Sequence, residues 1–243
     1  MKKIKNSLIL PFIIFLGAFL VLTTSCEKAD NIINNNSFKD QRDGNIYKIK
    51  RIGDQVWMAE NLRYLPNVVG AETGSETTPY YYVYDYNGTN ISAAKATSNY
   101  KTYGVLYNWS AAMSGATSSI GSPSEVQGVC PKGWHLPSKT ELTELLDYLG
   151  RDAIGKLKED GLAHWNSPNA DATNETGFSA LPGGYRNGLG KFDYIGEVGL
   201  WWTATQSNSN YAWLWFLHYS GNQSGVLGAN AKSMGLCVRC IMD

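Results

Sequence analysis

Two cysteines near the end of the chain have the spacing found in some redox and metal-binding sites. Cys237 and Cys240 form a Cys-X-X-Cys pattern, which is typical of redox centres and of metal sites. Redox pairs lie at helix N-termini, where the helix dipole lowers the pKa of the thiol. The segment Leu236–Ile241 (LCVRCI) instead favours a strand, on which the two side chains point to opposite faces. A metal site would also need a second pair of ligands, so we expect neither chemistry here.

The three histidines are the remaining candidates for acid–base chemistry. His135 lies in a turn (GWHLP) before a predicted helix, where it could be a general base or could bond loop carbonyls. We favour the structural role. His164 and His218 have no obvious partner in the sequence. Because no nucleophile with its base and no pair of carboxylates is apparent, we predict no catalytic residues and no enzyme activity.

An oxygen-rich loop could hold a metal ion. Asp171, Asn174 and Glu175 lie close together in the sequence, and Ca²⁺ takes about six to eight oxygen ligands. An ordinary polar loop is the simpler interpretation, so we predict no metal site and no cofactor.

The strand predicted over Ala212–Tyr219 (AWLWFLHY) is apolar on both faces. We predict that Trp213, Leu217 and Tyr219 point inward and that the other face meets a ligand. Trp anchors flanked by Tyr, Asn and Ser are also typical of antibody paratopes. The predicted ligand-binding residues are Asn208, Asn210, Tyr211, Leu214, Phe216, His218, Asn222, Gln223, Leu227 and Asn230. The alternative is a packed core strand between polar loops.

The composition excludes some classes of protein. The 243 residues include 21 Lys+Arg and 21 Asp+Glu, so the chain lacks the excess positive charge of a nucleic-acid binder. Aromatic residues make up 12%, which argues against a largely disordered chain. We therefore expect a folded domain that does not bind nucleic acid.

The first 25 residues read as a secretory signal. Three lysines precede the apolar run Leu8–Leu22, which is followed by Thr-Thr-Ser and Cys26. This arrangement resembles a bacterial lipobox, which implies cleavage before Cys26 and lipidation of that residue. The protein is then expected to be an outer-membrane lipoprotein of the cell envelope, surface-exposed or facing the periplasm, and to contact the membrane through its lipid. An ordinary signal peptide or an uncleaved anchor is the alternative.

Residues 26–39 are polar and rich in asparagine, and we predict a flexible tether because such a segment buries little apolar surface. Glu27 and Asp30 resemble, in part, the surface-export signal of Bacteroidetes lipoproteins. A single domain is then predicted over 40–243.

Local patterns predict an α+β domain, with helices early and an antiparallel sheet late. Asn45–Tyr64 favours a hairpin, and Tyr103–Met113 favours a short amphipathic helix. The clearest helix begins at Ser138, which forms a capping box with Glu141, and it ends at Gly150. After Gly161 short strands and glycine turns follow.

Seven ordered segments carry a resemblance. They are DGN at 43–45, VWMAENL at 56–62, YGVLYNW at 103–109, CPKGWHLP at 130–137, GFSALPGGYR at 177–186, WWTAT at 201–205 and VRC at 238–240. In this order they resemble the Fibrobacter succinogenes major paralogous domain, a family of secreted or lipid-anchored bacterial proteins. The resemblance implies a loop-rich C-type-lectin-like domain, with two helices flanking a twisted antiparallel sheet and a long loop region presenting the ligand surface.

The resemblance also implies a disulfide between Cys130 and Cys240. Cys130–Cys237 is the competing pair, and Cys237 is otherwise expected to be a half-buried free thiol. The related formylglycine-generating enzymes use a cysteine pair whose spacing is not matched here, so their catalysis is not carried over.

The expected function is that of a lipid-anchored, non-catalytic binding or adhesion module. It would recognise a protein or glycan through the C-terminal sheet and loops. The alternative is a structural or tip subunit of a cell-surface appendage or outer-membrane complex, assembled with other surface proteins.

Overall fold

The computed structural model describes residues 32–34, 36–221 and 226–243, and strands dominate it. The strands are β1 (Ile32–Asn34), β2 (Ser37–Lys39), β3 (Ile46–Ile52), β4 (Gln55–Met58), β5 (Tyr81–Tyr82), β6 (Leu106–Tyr107), β7 (Trp134–His135), β8 (Gly183–Arg186), β9 (Phe192–Ile195), β10 (Val198–Gln206), β11 (Tyr211–His218), β12 (Leu227–Ala231) and β13 (Ile241–Met242). The helices are α1 (Ile91–Ala96), α2 (Ser98–Tyr103), α3 (Trp109–Met113), α4 (Lys139–Leu149) and α5 (Ala153–Leu157).

Two sheets form the framework. One has the strand order β1-β2-β3-β4-β13-β7 and the other β12-β11-β10-β8-β9, while β5 and β6 form a separate pair. Most neighbours are antiparallel, but β10 pairs with β8 in parallel, at Gly199 and Gly184. The mixed helix-and-sheet class predicted from the sequence is confirmed. The last strand, β13, lies between β4 and β7, so both ends of the described chain share one sheet.

Helix α4 is confirmed with its predicted ends. The Ser138 side chain accepts a hydrogen bond from the Glu141 backbone N–H (3.1 Å), and the Ser138 backbone N–H donates to Glu141 Oε2 (2.9 Å). The helix ends at Gly150, which adopts a φ of +63°. Local signals were sufficient because the cap and its partner are three residues apart.

The helix predicted over Tyr103–Met113 is wrong as a single element. Gly104 adopts a φ of +80° and lies so close to Leu62 that a Cβ would be 2.8 Å from the Leu62 carbonyl oxygen. This ends α2, and β6 follows. Asn108 then begins α3, since its side-chain oxygen accepts from the Ala111 backbone N–H at 3.0 Å.

The predicted tether is wrong at its C-terminal end. Strand β2 pairs with β3, with Phe38 opposite Tyr47. Phe38 is only 2% exposed, and its ring lies 5.0 Å from the ring of Trp134. One large apolar side chain and a β-ladder therefore hold residues 37–39 on the domain. The predicted leader and Cys26 lie outside the described residues. Across the described ranges, no helix is long and apolar enough to span a membrane.

Two apolar clusters lie on opposite faces of the five-stranded sheet. Leu200, Trp202 and Leu214 belong to one, whereas Trp201 and Trp215 belong to the other and stack with ring centroids 4.2 Å apart. The central strands of this sheet are therefore buried on both faces.

The implied disulfide is present, joining Cys130 to Cys240. Cys237 is free, as expected, but it is fully buried rather than half-buried. Burial raises the pKa of its thiol to about 12, which leaves it protonated at neutral pH.

Candidate ligand-binding surface

The predicted ligand-binding residues do not form one site. Asn208, Asn210 and Tyr211 lie at the turn between β10 and β11, while Phe216 and His218 lie towards the other end of β11. Tyr211 and His218 are seven residues apart, which corresponds to about 23 Å along a strand. A small ligand cannot contact both groups.

Leu214 is not available to a ligand. It is 3% exposed and packs in the core opposite Trp202. The alternation of faces along β11 was predicted correctly, but a second layer covers the face expected to be free. Trp213, expected to point inward, is instead half-buried, with Lys139 Nζ 3.5 Å from its ring centroid. Phe216 and His218 are also half-buried.

The predicted polar residues mostly serve the local backbone. Asn208 Oδ1 accepts hydrogen bonds from the backbone N–H groups of Asn210 and Tyr211, both at 3.0 Å. Asn230 Oδ1 accepts from the Ala231 backbone N–H at 2.9 Å. Tyr211 is 43% exposed and remains open to a partner.

Of the other predicted ligand residues, two make local contacts and two lie outside the residues that the structure describes. Leu227 is half-buried opposite Trp215, and His218 Nδ1 lies 2.7 Å from Ser220 Oγ. Asn222 and Gln223 lie outside the described residues.

A cluster of half-buried rings beside β8 forms a different candidate surface, which we call the aromatic cluster. Its members are Tyr84, Tyr103, His164 and Phe192. The rings of Tyr84 and Phe192 lie 5.1 Å apart, and those of Tyr103 and His164 lie 5.9 Å apart. Asn99, one helical turn before Tyr103 on α2, donates a hydrogen bond to the Tyr84 carbonyl (3.0 Å) and so joins the two pairs.

Two glycines of β8 allow these rings to approach the sheet. A Cβ at Gly183 would lie 3.4 Å from the Cβ of Tyr103. A Cβ at Gly184 would lie 2.9 Å from the Tyr84 ring and 2.5 Å from the Asp193 carbonyl oxygen. Gly184 also has a φ of +60°, which disfavours any other residue. The Gly-Gly pair in the segment LPGGYR was the only sequence signal for this surface.

Hydrogen-bonding groups surround the cluster. Glu159 holds His164, with Oε1 and Oε2 at 3.0 and 2.8 Å from His164 Nδ1. His164, for which the sequence showed no partner, therefore has one. Within the described ranges, the Tyr103 hydroxyl makes no hydrogen bond. Burial and the charge of Glu159 raise the pKa of Tyr103, so its hydroxyl is a protonated donor at neutral pH.

A second aromatic pair lies on the opposite face of the β8–β9 hairpin. Tyr185 faces Asp193 in the register, whereas Phe192 faces Arg186, so Tyr185 and Phe192 lie on different faces. Tyr185 stacks on Tyr194 with centroids 5.7 Å apart. Tyr194 is 52% exposed and has a φ of +61°, a strained conformation that costs about 1–3 kcal/mol.

Buried cations fix the loops around this hairpin. Lys158, Arg186, Lys232 and Arg239 are buried, and within the described ranges they bond neutral oxygens rather than carboxylates. Arg239 donates to Asn61 Oδ1 at 2.9 Å and to the Ser179 carbonyl at 2.8 Å. Burial lowers the pKa of Arg239 to about 9. Sequence reasoning missed these residues because their partners are distant in the chain.

Lys158 fastens the loop before β8 to the end of β11. Its Nζ donates to the carbonyls of Ala170 (2.8 Å) and His218 (3.3 Å). Burial lowers its pKa to about 8. This lysine therefore positions the loop that carries His164, and its side chain has no exposed surface from which to react.

His135 is buried, and its partners differ from those predicted. Its ring nitrogens lie 2.7 Å from Asp243 Oδ1 and 2.7 Å from Glu141 Oε1, rather than beside loop carbonyls. The proposed oxygen-rich loop is also locally satisfied, since Asn174 bonds the backbone and hydroxyl of Ser179. Across the described ranges, no group of three His, Cys, Asp or Glu side chains could hold a metal ion.

A comparison with models of known protein families identifies the family of this chain. The family model described as the Fibrobacter succinogenes major domain matches residues 51–242. The chain belongs to the Fibrobacter succinogenes major domain family. No curated protein and no solved structure matches the chain. The part that matches the Fibrobacter succinogenes major domain contains both disulfide cysteines and all four rings of the aromatic cluster.

Proposed function

We propose that this protein is a lipid-anchored, non-catalytic binding module of the cell envelope that recognises a protein or glycan ligand. The observation that carries the proposal is the aromatic cluster. Four half-buried rings, a free Tyr103 hydroxyl and the Glu159–His164 pair combine apolar faces with hydrogen-bonding groups, which is the usual composition of recognition surfaces. The lipobox-like sequence at Cys26 supports the anchor.

The finer fold assignment belongs to the same proposal. A C-type-lectin-like arrangement is supported by the N-terminal strands β2–β4 and the C-terminal β13 sharing one sheet. It is also supported by two long loops, residues 59–80 between β4 and β5 and residues 158–182 between α5 and β8.

Binding is tested with the full chain purified from membranes in detergent. Glycan arrays and cell-surface pull-downs should each be performed with the wild type and with Tyr103→Ala and Phe192→Ala. We expect binding in at least one assay and a weaker signal in both variants. Tyr148→Ala is the matched control, because Tyr148 is 67% exposed on α4 and lies outside the cluster. Absence of binding in both assays would overturn the proposal.

The anchor is tested separately. Replacing Cys26 by Ala should move the protein from the membrane fraction to the soluble fraction, because the lipid attachment atom is lost. Retention of Cys26→Ala in membranes would instead indicate an uncleaved N-terminal anchor.

A structural subunit of a surface assembly is the second candidate, and strand β12 favours it. This strand is an edge of the five-stranded sheet, and its sequence LGANA contains no charged residue and no proline, the usual barriers to edge pairing. Crosslinking of whole cells should then give discrete larger species that Ala229→Lys abolishes, while Ser209→Lys in the exposed β10–β11 turn leaves them unchanged. Purely monomeric protein would exclude this role.

A further inference from the structure

The aromatic cluster offers both kinds of contact by which proteins bind sugars. A pyranose ring has an apolar C–H face, which packs on an aromatic ring, and a rim of hydroxyls, which needs donors and acceptors. Tyr84, Tyr103 and Phe192 offer partly accessible, half-buried rings. Beside them, the Tyr103 hydroxyl is an available donor, and the Glu159 carboxylate is an acceptor held in place by His164.

The charges around the cluster select among glycans. Burial is the largest cause that raises the hydroxyl pKa of Tyr103 and of Tyr84. The negative charge of Glu159 raises the pKa of Tyr103 further, and those of Asp193 and Asp85 raise the pKa of Tyr84 further. Among the four ring residues, His164 is the basic one, and its Nδ1 lies 2.8 Å from Glu159 Oε2. An acidic setting of this kind repels sulfated, phosphorylated and uronic-acid chains and accepts uncharged ones.

The cluster is held rigidly, which limits the entropy lost on binding. The loop carrying His164 is fixed by its next two residues. Trp165 is buried and donates from Nε1 to the Ala180 carbonyl (2.9 Å), and the Asn166 backbone N–H donates to the Gly196 carbonyl (2.8 Å). Tyr103 is fixed at the end of α2 by Gly104, and Tyr84 by the bond from Asn99.

We propose that the aromatic cluster is a subsite for an uncharged pyranose chain. This inference rests on the proposed binding function and names its ligand class. Tyr84, Tyr103 and Phe192 stack on sugar faces. The Tyr103 hydroxyl and the Glu159 carboxylate hydrogen-bond to the sugar hydroxyls.

The test titrates the full chain in detergent with defined hexasaccharides by calorimetry. The uncharged panel contains cello-, xylo-, manno- and chito-oligosaccharides, and the charged panel contains oligogalacturonate and a sulfated chondroitin fragment. At least one uncharged sugar should bind and the charged panel should not. Loss of one stacked ring in Tyr103→Ala or Phe192→Ala should weaken binding about tenfold. Tyr148→Ala should leave the affinity unchanged.

The conservative variant Tyr103→Phe separates the hydroxyl from the ring and guards against a folding defect. It keeps the stacking surface, so it should weaken binding by only about threefold while preserving the melting temperature. Uncharged sugar binding that survives both alanine variants would overturn the site, and binding of charged sugars alone would overturn the ligand class. Failure of every sugar, together with a protein captured in a Tyr103-dependent way, would overturn the glycan and retain the binding module. Failure of sugars and proteins alike would overturn both.

Discussion

At the residue scale, the charge on His135 links the stability of the domain to pH. Burial by itself would lower the pKa of His135, but its hydrogen bonds with Glu141 and Asp243 and their charges outweigh burial and raise it. The folded pKa therefore lies above the unfolded value of about 6.5. The stabilisation is fully present below about pH 6.5 and is lost as the pH rises through the folded pKa.

Replacing His135 by Gln should remove this pH-dependent contribution. We expect the variant to be less stable than the wild type by about 1–3 kcal/mol at pH 5.5, and the difference to shrink at pH 8.5. Urea denaturation at both pH values measures it. His218→Gln is the control, because the His218 ring is half-buried and its Nδ1 bonds the neighbouring Ser220 rather than a carboxylate. A difference that grows with pH would contradict the assigned partners.

Gly184 is the residue on which the candidate surface most depends. Replacing it by Ala combines the penalty of a positive φ with a Cβ 2.5 Å from the Asp193 carbonyl oxygen, so we expect a loss of about 2–3 kcal/mol in unfolding free energy. Gly188→Ala is the matched control, since nothing lies within 4 Å of its Cβ position. Thermal denaturation compares the two. Equal stability of both variants would refute the close packing of β8 on β9.

At the element scale, α4 depends on its cap. Replacing Ser138 by Ala removes the acceptor for the Glu141 backbone N–H and should lower the unfolding free energy by about 1 kcal/mol. Thr143→Ala, on the exposed side of the same helix, should change it by less than about 0.5 kcal/mol. Chemical denaturation checks both. A Ser138→Ala variant as stable as the wild type would show that the cap is dispensable.

The features that could be predicted at this scale are those whose interacting residues are close together in the sequence. The capping box of α4 and the alternation of β11 are local patterns, and both were found. That both faces of β11 are covered depends on Trp202 and on apolar clusters contributed by remote segments, so the burial of Leu214 was not predicted. The aromatic cluster draws its rings from four separate segments. Hydrophobic periodicity cannot predict that rings from four distant segments pack together. The pair Gly183-Gly184 was the one sequence signal at this place.

At the scale of the whole molecule, the disulfide links the middle of the chain to its end. The cysteines are separated by 110 positions, and closing a loop of that size stabilises by about 4–5 kcal/mol in the chain-entropy description. The double variant Cys130→Ala/Cys240→Ala should lose about that much, measured by urea denaturation. Cys237→Ala should lose only about 1 kcal/mol, since it removes one buried sulfur and its contact with Asn61. A smaller loss in the double variant than in Cys237→Ala would contradict this account.

The sheet that both ends of the described residues share determines how the domain responds to a pulling force. Strands β1 and β2 form one edge of that sheet, whereas β13 lies inside it between two neighbours and next to the disulfide at Cys240. A tensile load applied from the N-terminal side therefore reaches the edge strands first, and their ladder to β3 opens before the interior strand is loaded. The aromatic cluster lies beside the other sheet. A domain pulled from the N-terminal side would lengthen by peeling its first strands while the aromatic cluster keeps its shape.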